Sequence, residues 1–249
     1  MTDTLTEPGG KLRLYVEAPL RQDARVMPDE AQSHYLLRVM RAKVGDRVSL
    51  FNGSDGEWLA RIAEVSKRVC VLECELRTEP QSEVPDVWLC FAPIKKTPAD
   101  YVVQKATELG VRVLQPVFTR RTVVSRVNLE RMHANAVEAA EQSARLSVPE
   151  TRVPLALEKL LASWPQERRL IFCDEGEDTQ PIAQILAAQK EQPFAILTGP
   201  EGGFDPVERE LLRAQSFVVP VSLGPRILRA DTAALAALAI WQSIRGDWR

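Results

Sequence analysis

The segment FAILTGPEGGF at residues 194–204, followed by VSLGPRILRADTAALAALAIWQ at residues 221–242, decides the fold class that we predict for this chain. Each segment begins with an apolar run typical of a buried strand, passes through a loop of glycine and proline, and continues into a helical pattern. The first loop carries glycines at 199, 202 and 203, which allow positive φ and let a ligand approach the backbone closely. Two such loops close together predict a cofactor held by backbone groups between strand ends and helix starts.

The chemistry of the first loop indicates which kind of ligand it suits. No lysine or arginine lies within TGPEGGF, and neither the P-loop pattern nor G-x-G-x-x-G is present. Glu201 would repel a phosphate at the helix start, so a ligand with an adenosine and an amino or sulfonium group fits better. The structural alternative is a glycine-rich turn that holds no ligand.

Strands alternate with helices from Asp86 onward, and this alternation predicts a largely parallel sheet. Asp205, Pro206 and Glu208 form the pattern of a helix start with a capping box, and Asp231 or Thr232 is a candidate cap for the helix after the second loop. The predicted strands cover 87–92, 111–118, 169–173, 194–198 and 216–221. Two predicted helices lie between the earlier strands: one covers 97–109, with Thr97 as its N-cap, and the other covers 128–146.

The first third of the chain has a different pattern. Residues 11–78 are short strands joined by tight turns, with one helical stretch at DEAQSHYLLRVMRA, and they predict a small β-barrel. Two prolines and no apolar period predict a linker at 79–85, and the polar residues 1–10 predict a disordered tail. Residues 86–249 then form the second domain.

Composition excludes several classes of protein. The 249 residues are 45% hydrophobic and 27% charged, as in a soluble globular protein. No apolar run is long enough to span a membrane, and the start lacks a secretory signal. The four cysteines have no histidine or cysteine pair at metal-binding spacing, which predicts core thiols and no metal site. Core thiols in turn predict a reducing, cytoplasmic compartment.

A local excess of positive charge lies within a chain whose net charge is −2. Between Lys95 and Arg131 there are eight basic residues and three acidic ones. Such a face fits a polyanionic partner, and a solvated face is the alternative.

The two loops, in order with three further segments, resemble the bacterial 16S ribosomal RNA uridine-N3 methyltransferase family, which belongs to the SPOUT (trefoil-knotted) RNA methyltransferases. The further segments are HYLLRVMRAKVGD at 34–46, VVQKATELGV at 102–111 and EAAEQSARLSVPE at 138–150. The resemblance runs from about Leu12 to Trp241. It departs at Asp231, where that family more often has Glu, and the substitution keeps the charge.

The resemblance implies an α/β fold class: a C-terminal SPOUT domain with a deep trefoil knot and a mostly parallel sheet, preceded by a small PUA-like RNA-binding barrel. It implies S-adenosylmethionine as the cofactor, S-adenosylhomocysteine as its product, and a homodimer with the active site near the subunit junction. The implied substrate is a uridine in the decoding region of small-subunit ribosomal RNA, preferably in the assembled subunit.

The candidate site residues fall into three groups. The candidate catalytic residues are Arg229, Glu201 and Asp231, while Glu108 is ranked first as a structural carboxylate. The candidate cofactor-binding residues are Leu197, Thr198, Gly199, Pro200, Glu201, Gly202, Gly203, Val221, Leu223, Gly224, Ile227, Leu228, Arg229 and Thr232. The candidate RNA-binding residues are His34, Arg38, Arg41, Lys43, Lys95, Lys96, Lys105, Arg120, Arg121, Gln142 and Arg145; Arg38 and Arg41 are expected to share a helix face.

Three functions are open at this point. The first is uridine-N3 methylation, in which a carboxylate takes the N3 proton and Arg229 stabilises the resulting anion. The second is a SPOUT methyltransferase for another position in ribosomal or transfer RNA. The third is a non-catalytic RNA-binding or assembly protein, against which the retention of both loops argues.

Overall fold

The structure is a computed structural model that describes residues 12–174, 176, 179–190 and 192–248, with the backbone alone at Lys96 and Thr97. The predicted tail at 1–10 lies outside the described residues. The chain forms two compact units. The first contains the described residues up to Glu83 together with Ala140–Val148, and the second contains Val84–Ala139 and the described residues from Pro149 onward.

The first unit is built on a five-stranded, mostly antiparallel sheet. Its strands lie in the order β1-β3-β4-β5-β2, with β1 parallel to β3. The elements are β1 (Arg13–Tyr15), β2 (Arg25–Val26), α1 (Glu30–His34), a π-helical turn (Tyr35–Val39), β3 (Arg47–Phe51), β4 (Glu57–Val65) and β5 (Cys70–Glu79). The strand β5 therefore includes Glu79, which was expected to open the linker.

Alternating side chains of these strands bury one apolar cluster. Leu36 from the π-helical turn and Leu50, Ile62 and Leu72 from the strands are fully buried there. Complete burial of a leucine or isoleucine side chain contributes about 1.5–3 kcal/mol relative to exposure. The core therefore fixes the helical turn against the sheet.

The segment Ala140–Val148 packs with this first unit, although it was expected in the second domain. Ala140 and Leu146 bury Phe51, and the Arg13 guanidinium donates to the carbonyl oxygens of Ala140 and Glu141 at 2.9 and 3.0 Å. Carbonyls at the end of a helix have no intrahelical partners, so a cation there is stabilising.

The second unit is an α/β fold around an eight-stranded sheet, and every strand pairing among its described residues is parallel. The order is β11-β13-β10-β12-β6-β7-β8, and β9 pairs with the end of β7. The strands are β6 (Val87–Phe91), β7 (Val113–Phe118), β8 (Glu150–Thr151), β9 (Leu155–Ala156), β10 (Arg169–Cys173), β11 (Gln180–Pro181), β12 (Phe194–Thr198) and β13 (Val218–Ser222). The helices are α2 (Lys96–Glu108), α3 (Leu129–Gln142), α4 (Leu157–Ala162), α5 (Ile182–Ala188), α6 (Pro206–Arg213) and α7 (Ala230–Arg245).

The predicted parallel sheet is confirmed, and its central strands show why the sequence forms it. All five residues of β12 are buried, as expected for a strand covered on both faces by helices. The predicted bounds of β10 and β12 are those observed.

Three helix predictions were wrong in detail. The N-cap of α2 is Lys95 and not Thr97, because the carbonyl of Lys95 already accepts from the amide of Ala99. The N-cap of α7 is Arg229, whose carbonyl accepts from the amide of Ala233, so Asp231 and Thr232 lie inside the first turn. A carboxylate in that turn is still favourable for the helix dipole. The helix predicted over 128–146 ends at Gln142.

Candidate cofactor site

A cavity of about 980 Å³ opens at the carboxyl ends of β10, β12 and β13. Strand β10 lies between β12 and β13, so the loops that follow these two strands face each other across its end. Ligands in parallel α/β sheets bind at this edge. The expected juxtaposition of the two loops is therefore present within the second unit.

The first loop is held in place by an aromatic ring and a tight turn. A Cβ at Gly199 would lie 2.7 Å from Cε2 of Phe204, whose ring packs edge-on against Phe172 at 4.9 Å. Gly203 has a φ of +65°, and its amide donates to the carbonyl of Pro200 at 2.9 Å. Glycine is thus required at 199 by space and favoured at 203 by backbone conformation.

The second loop begins with a polar turn and presents an apolar side chain. The amide of Gly224 donates to Oγ of Ser222 at 3.1 Å, and Gly224 has a φ of +110°. Ile227 lines the cavity and is 86% exposed, while Arg226 and Arg229 are exposed beside it. An exposed isoleucine at the mouth of a cavity supplies apolar contact area for a ligand.

Most of the candidate cofactor and catalytic residues line this cavity. Leu197, Val221 and Thr232 are not among its lining residues: the first two are fully buried within their strands, and Thr232 is exposed on α7. The lining candidates are Thr198, Gly199, Pro200, Glu201, Gly202, Gly203, Leu223, Gly224, Ile227, Leu228, Arg229 and Asp231.

Sequence reasoning missed the wall formed by the end of β10. Cys173 and Asp174 line the cavity, and the buried carboxylate of Asp174 lies 2.9 Å from Nε of Arg209 and 2.6 Å from Nη2 of Arg213. Burial raises the pKa of the Cys173 thiol to about 12, so this thiol stays protonated at neutral pH. In the sequence, the position of Asp174 directly after a buried strand could have indicated that its side chain lies at the ligand-binding edge of the sheet.

The start of α6 carries the predicted capping box. Asp205 accepts from the amide of Val207, Pro206 is the first helical residue, and Oε2 of Glu208 accepts from the amide of Asp205 at 3.1 Å. The Glu208 side chain is buried, and its Oε1 also accepts from the amide of Arg120 at 2.8 Å. One carboxylate thus joins α6 to the turn that follows β7.

The candidate RNA-binding residues of the second unit differ in whether their side chains already contact an acidic side chain of the protein. Lys95 is exposed, whereas Nζ of Lys105 donates to Glu108 at 2.7 Å, and this hydrogen bond raises the pKa of Lys105. The side chain of Lys96 lies outside the described residues. Arg120 and Arg121 are exposed and lie near Asp205, at 3.4 and 3.8 Å respectively.

In the first unit, the expectation that Arg38 and Arg41 share a helix face was wrong. Helical structure ends at Val39, and Arg41 has a φ of +54°, in the left-handed region. Nη2 of Arg38 reaches the carbonyl of Lys67 at 3.5 Å. The other candidates there are His34, Arg41, Lys43 and Gln142, all exposed, and Arg145, which is half-buried and contacts Oγ of Ser147 at 3.3 Å.

The described residues contain neither a metal-binding cluster nor a membrane-spanning helix. Among them, no three His, Cys, Asp or Glu side chains are grouped so that they could hold a metal ion. No helix of the described residues is both long and apolar enough to cross a membrane.

Comparison with known proteins finds a separate family model for the N-terminal and for the C-terminal part of the chain. A family model described as an RNA methyltransferase domain matches residues 80–242, and one described as an RNA methyltransferase PUA domain matches residues 28–73. The expected PUA-like N-terminal part and α/β C-terminal part are thereby confirmed.

Relatives and solved structures cover nearly the whole chain. Ribosomal RNA small subunit methyltransferase E of Rickettsia conorii is 31% identical over 91% of this chain and 93% of its own, and that of Synechocystis is 35% identical over 91% and 76%. A methyltransferase of Legionella pneumophila has a TM-score of 0.84 and 28% identity, covering 95% of this chain and 98% of its own. The small subunit methyltransferase E of Neisseria gonorrhoeae has a TM-score of 0.83 and 27% identity, and the match covers 96% of this chain and 99% of that one. Both of those structures contain S-adenosylmethionine.

Proposed function

This chain belongs to the family of the ribosomal RNA small subunit methyltransferase E proteins, and on that premise we propose that it methylates N3 of a uridine in the decoding region of 16S ribosomal RNA. The methyl donor is S-adenosylmethionine, which leaves as S-adenosylhomocysteine. The substrate is the small ribosomal subunit, assembled in the cytoplasm.

One observation carries the proposal: both glycine loops, with Glu201, Arg229 and Asp231, line a single cavity. Its volume of about 980 Å³ accommodates a nucleoside ligand and part of a second substrate. The backbone of residues 199–203 is open to close approach, and the carboxylates of Glu201 and Asp231 suit the positive sulfonium and amino groups of the donor. When bound, the donor supplies an electrophilic methyl group.

The protein's own residues must supply the remaining chemistry. Uridine N3 carries a proton at neutral pH, and the base must leave its stack or pairing partner before N3 can be reached. Glu201 or Asp231 accepts that proton, and the Arg229 guanidinium stabilises the negative charge that develops on the uracil ring. Fixing the base beside the donor can lower the barrier by roughly 7–11 kcal/mol.

Exposed cations position the RNA through its phosphates, without reading its sequence. Arg38, Arg41 and Lys43 offer such contacts in the first unit, and the exposed ring of His34 offers a hydrogen bond to the RNA. In the second unit Lys95 and Arg120 do so with exposed side chains, and Lys96 belongs to the same proposed set. Lys105 contributes less, because Glu108 already neutralises it.

We further propose a homodimer and a knotted C-terminal domain. Support for the dimer comes from α7, where the apolar side chains of Leu235, Ala239 and Ile240 are only half-buried. A helix that is apolar nearly all round is covered on most sides in the functional assembly.

The product assignment is tested by nucleoside analysis. Small-subunit RNA from a strain that lacks this gene, incubated as assembled subunits with the purified protein and S-adenosylmethionine, should gain N3-methyluridine at one decoding-region position by mass spectrometry. A methyl group at another position, or on transfer RNA, would favour a SPOUT methyltransferase of different specificity. Binding to the subunit without any transfer would favour a non-catalytic assembly protein.

A further inference from the structure

The side chain of Arg121 is committed to the backbone of the first glycine loop. Its Nη1 donates to the carbonyl oxygen of Gly202 at 2.9 Å, and its Nη2 lies 3.8 Å from Oδ2 of Asp205. Its aliphatic stem lies along the same glycine, since a Cβ added at Gly202 would be 3.5 Å from Cβ and 3.7 Å from Cδ of Arg121. The arginine therefore lies against the middle of the loop and also lines the cavity.

The backbone that carries Arg121 is itself anchored. The amide of Thr122 donates to the carbonyl of Thr119 at 3.1 Å, and the amide of Thr119 donates to Oγ1 of Thr122 at 3.0 Å, so the two threonines close a turn. The amide of Arg120 donates to the buried carboxylate of Glu208 at 2.8 Å. Arg121 thus projects from a fixed support toward the loop.

The loop closes a turn of its own beside this point, through the hydrogen bond from the amide of Gly203 to the carbonyl of Pro200. Gly202 is exposed and has no Cβ, so it has no side chain of its own to restrain its backbone. We propose that Arg121 is a positioning residue that holds the turn at 200–203 in its binding conformation before the cofactor arrives. Such preorganisation raises affinity because less conformational entropy is lost on binding. This inference depends on the proposed function only in taking S-adenosylmethionine as the ligand of the cavity.

The neighbouring arginine provides a matched control. The Arg120 guanidinium carries the same charge and lies 3.4 Å from Asp205, and within the described residues it makes no hydrogen bond to the backbone of the loop. Arg120→Ala removes a cation beside the same aspartate and leaves the Arg120 amide on Glu208. An effect that belongs to Arg121 alone therefore reports on the bond to Gly202.

The test is calorimetric titration of S-adenosylmethionine into the full chain without RNA, together with amide hydrogen exchange at Gly202 and Gly203 in the cofactor-free protein. For Arg121→Ala we expect the Kd to rise about tenfold, because one charge-assisted hydrogen bond is lost, and exchange at Gly203 to become faster. Arg121→Lys should recover part of the affinity, because an ammonium group can donate to the same carbonyl. Arg120→Ala should stay within about twofold of the wild type, as expected for an exposed ion pair.

Two results would overturn the inference: an unchanged Kd in Arg121→Ala, or an equal loss in Arg120→Ala, which would show a general charge effect. If Arg121→Ala lowers the thermal midpoint of the cofactor-free protein, the Kd values of Arg121→Lys and Arg120→Ala decide instead. Partial recovery of affinity in Arg121→Lys, with a near wild-type Kd in Arg120→Ala, supports the inference, and no recovery in Arg121→Lys overturns it. The nucleoside that the enzyme methylates does not enter these readouts. A failure of the uridine-N3 assignment is therefore seen separately from a failure of this inference.

Discussion

Gly199 and Gly202 stand close together in one loop, yet an added methyl group would meet different surroundings at each. At Gly199 the new Cβ would lie 2.7 Å from the Phe204 ring, which is buried against Phe172. At Gly202 the nearest atom would be 3.5 Å away, an ordinary contact with Arg121. The two glycines therefore serve the loop in different ways.

We expect Gly199→Ala to weaken cofactor binding by about tenfold or more, because either the ring or the loop must move. Gly202→Ala should weaken binding by a smaller factor, since its new methyl group would make only an ordinary contact with Arg121. Calorimetric titration of S-adenosylmethionine into both variants measures the difference. Equal affinities would mean that the packing of Phe204 under the loop does not shape the site.

Asp55 gives the first unit a defined response to pH. Its carboxylate accepts from the amide of Leu20 at 2.8 Å and from Nδ2 of Asn52 at 2.6 Å, and these bonds, the first most strongly, lower the pKa of Asp55. A lowered pKa in the folded state adds stability above the unfolded value of about 4 and loses it as the pH falls through the folded value. Asp55→Asn removes the charge while preserving the shape of the side chain.

The unfolding free energy of Asp55→Asn should thus fall below that of the wild type at pH 7, and the gap should close as the pH falls through the lowered pKa of Asp55 in the folded protein. Denaturant titration followed by Trp58 fluorescence checks this, since Trp58 is the tryptophan of the first unit and its Nε1 donates to the carbonyl of Asp55. A gap that persists unchanged at low pH would show that the charge of Asp55 is not involved.

Among the elements, α6 depends most clearly on a single side chain. The two oxygens of Glu208 accept from two different amides, those of Arg120 and Asp205. Glutamine at this position offers one acceptor oxygen and turns an NH₂ group toward the second amide. A buried donor left without a partner costs about 1–3 kcal/mol.

Glu208→Gln should therefore destabilise the second unit by about 1–3 kcal/mol in thermal or denaturant unfolding. Glu210→Gln, on the exposed face of the same helix, is the control and should change stability by less than about 0.5 kcal/mol. If the two substitutions had equal effects, the link between α6 and the turn after β7 would carry no stability.

The elements also show what local sequence can and cannot predict. The core strands β10 and β12 were predicted with their observed bounds, because a continuous apolar run between turn residues is a strong local signal. The capping box at Asp205 and Glu208 was also predicted, because its residue types and spacing are a local signal of a helix start. The π-helical turn at Tyr35–Val39 was not, because it depends on the burial of Leu36 in the sheet and not on a local pattern.

The candidate site was predictable where loops carried glycines and was missed where tertiary contacts create it. Asp174 reaches the cavity because Arg209 and Arg213 on α6 hold its carboxylate there. Arg121 was predicted as an RNA contact from charge alone, and its hydrogen bond to Gly202 depends on a turn distant in sequence. Neither contact follows from spacing along the chain.

At the scale of the whole molecule, the net charge of −2 requires that RNA binding come from local groups of cations. Arg38 is exposed on the first unit and has one long contact with a carbonyl. Neutralising one phosphate releases counterions, so each lost contact lowers the slope of log K against log salt by about 1.

We therefore expect Arg38→Ala to weaken binding to small ribosomal subunits and to reduce that slope by about 1. Filter binding across a range of salt concentrations measures both quantities. Arg25→Ala, on the same unit but paired with Glu64, is the control and should leave the slope unchanged. An unaltered slope in Arg38→Ala would mean that Arg38 is a solvated surface residue that does not contact an RNA phosphate.

The most direct test of the central claim is a crystal structure with S-adenosylmethionine and an RNA fragment that contains the target uridine. The account predicts the cofactor between residues 198–203 and 223–231, with uridine N3 facing its methyl group and a carboxylate of Glu201 or Asp231 near N3. A cofactor bound away from these two loops, or a different base atom aligned with the methyl group, would contradict it.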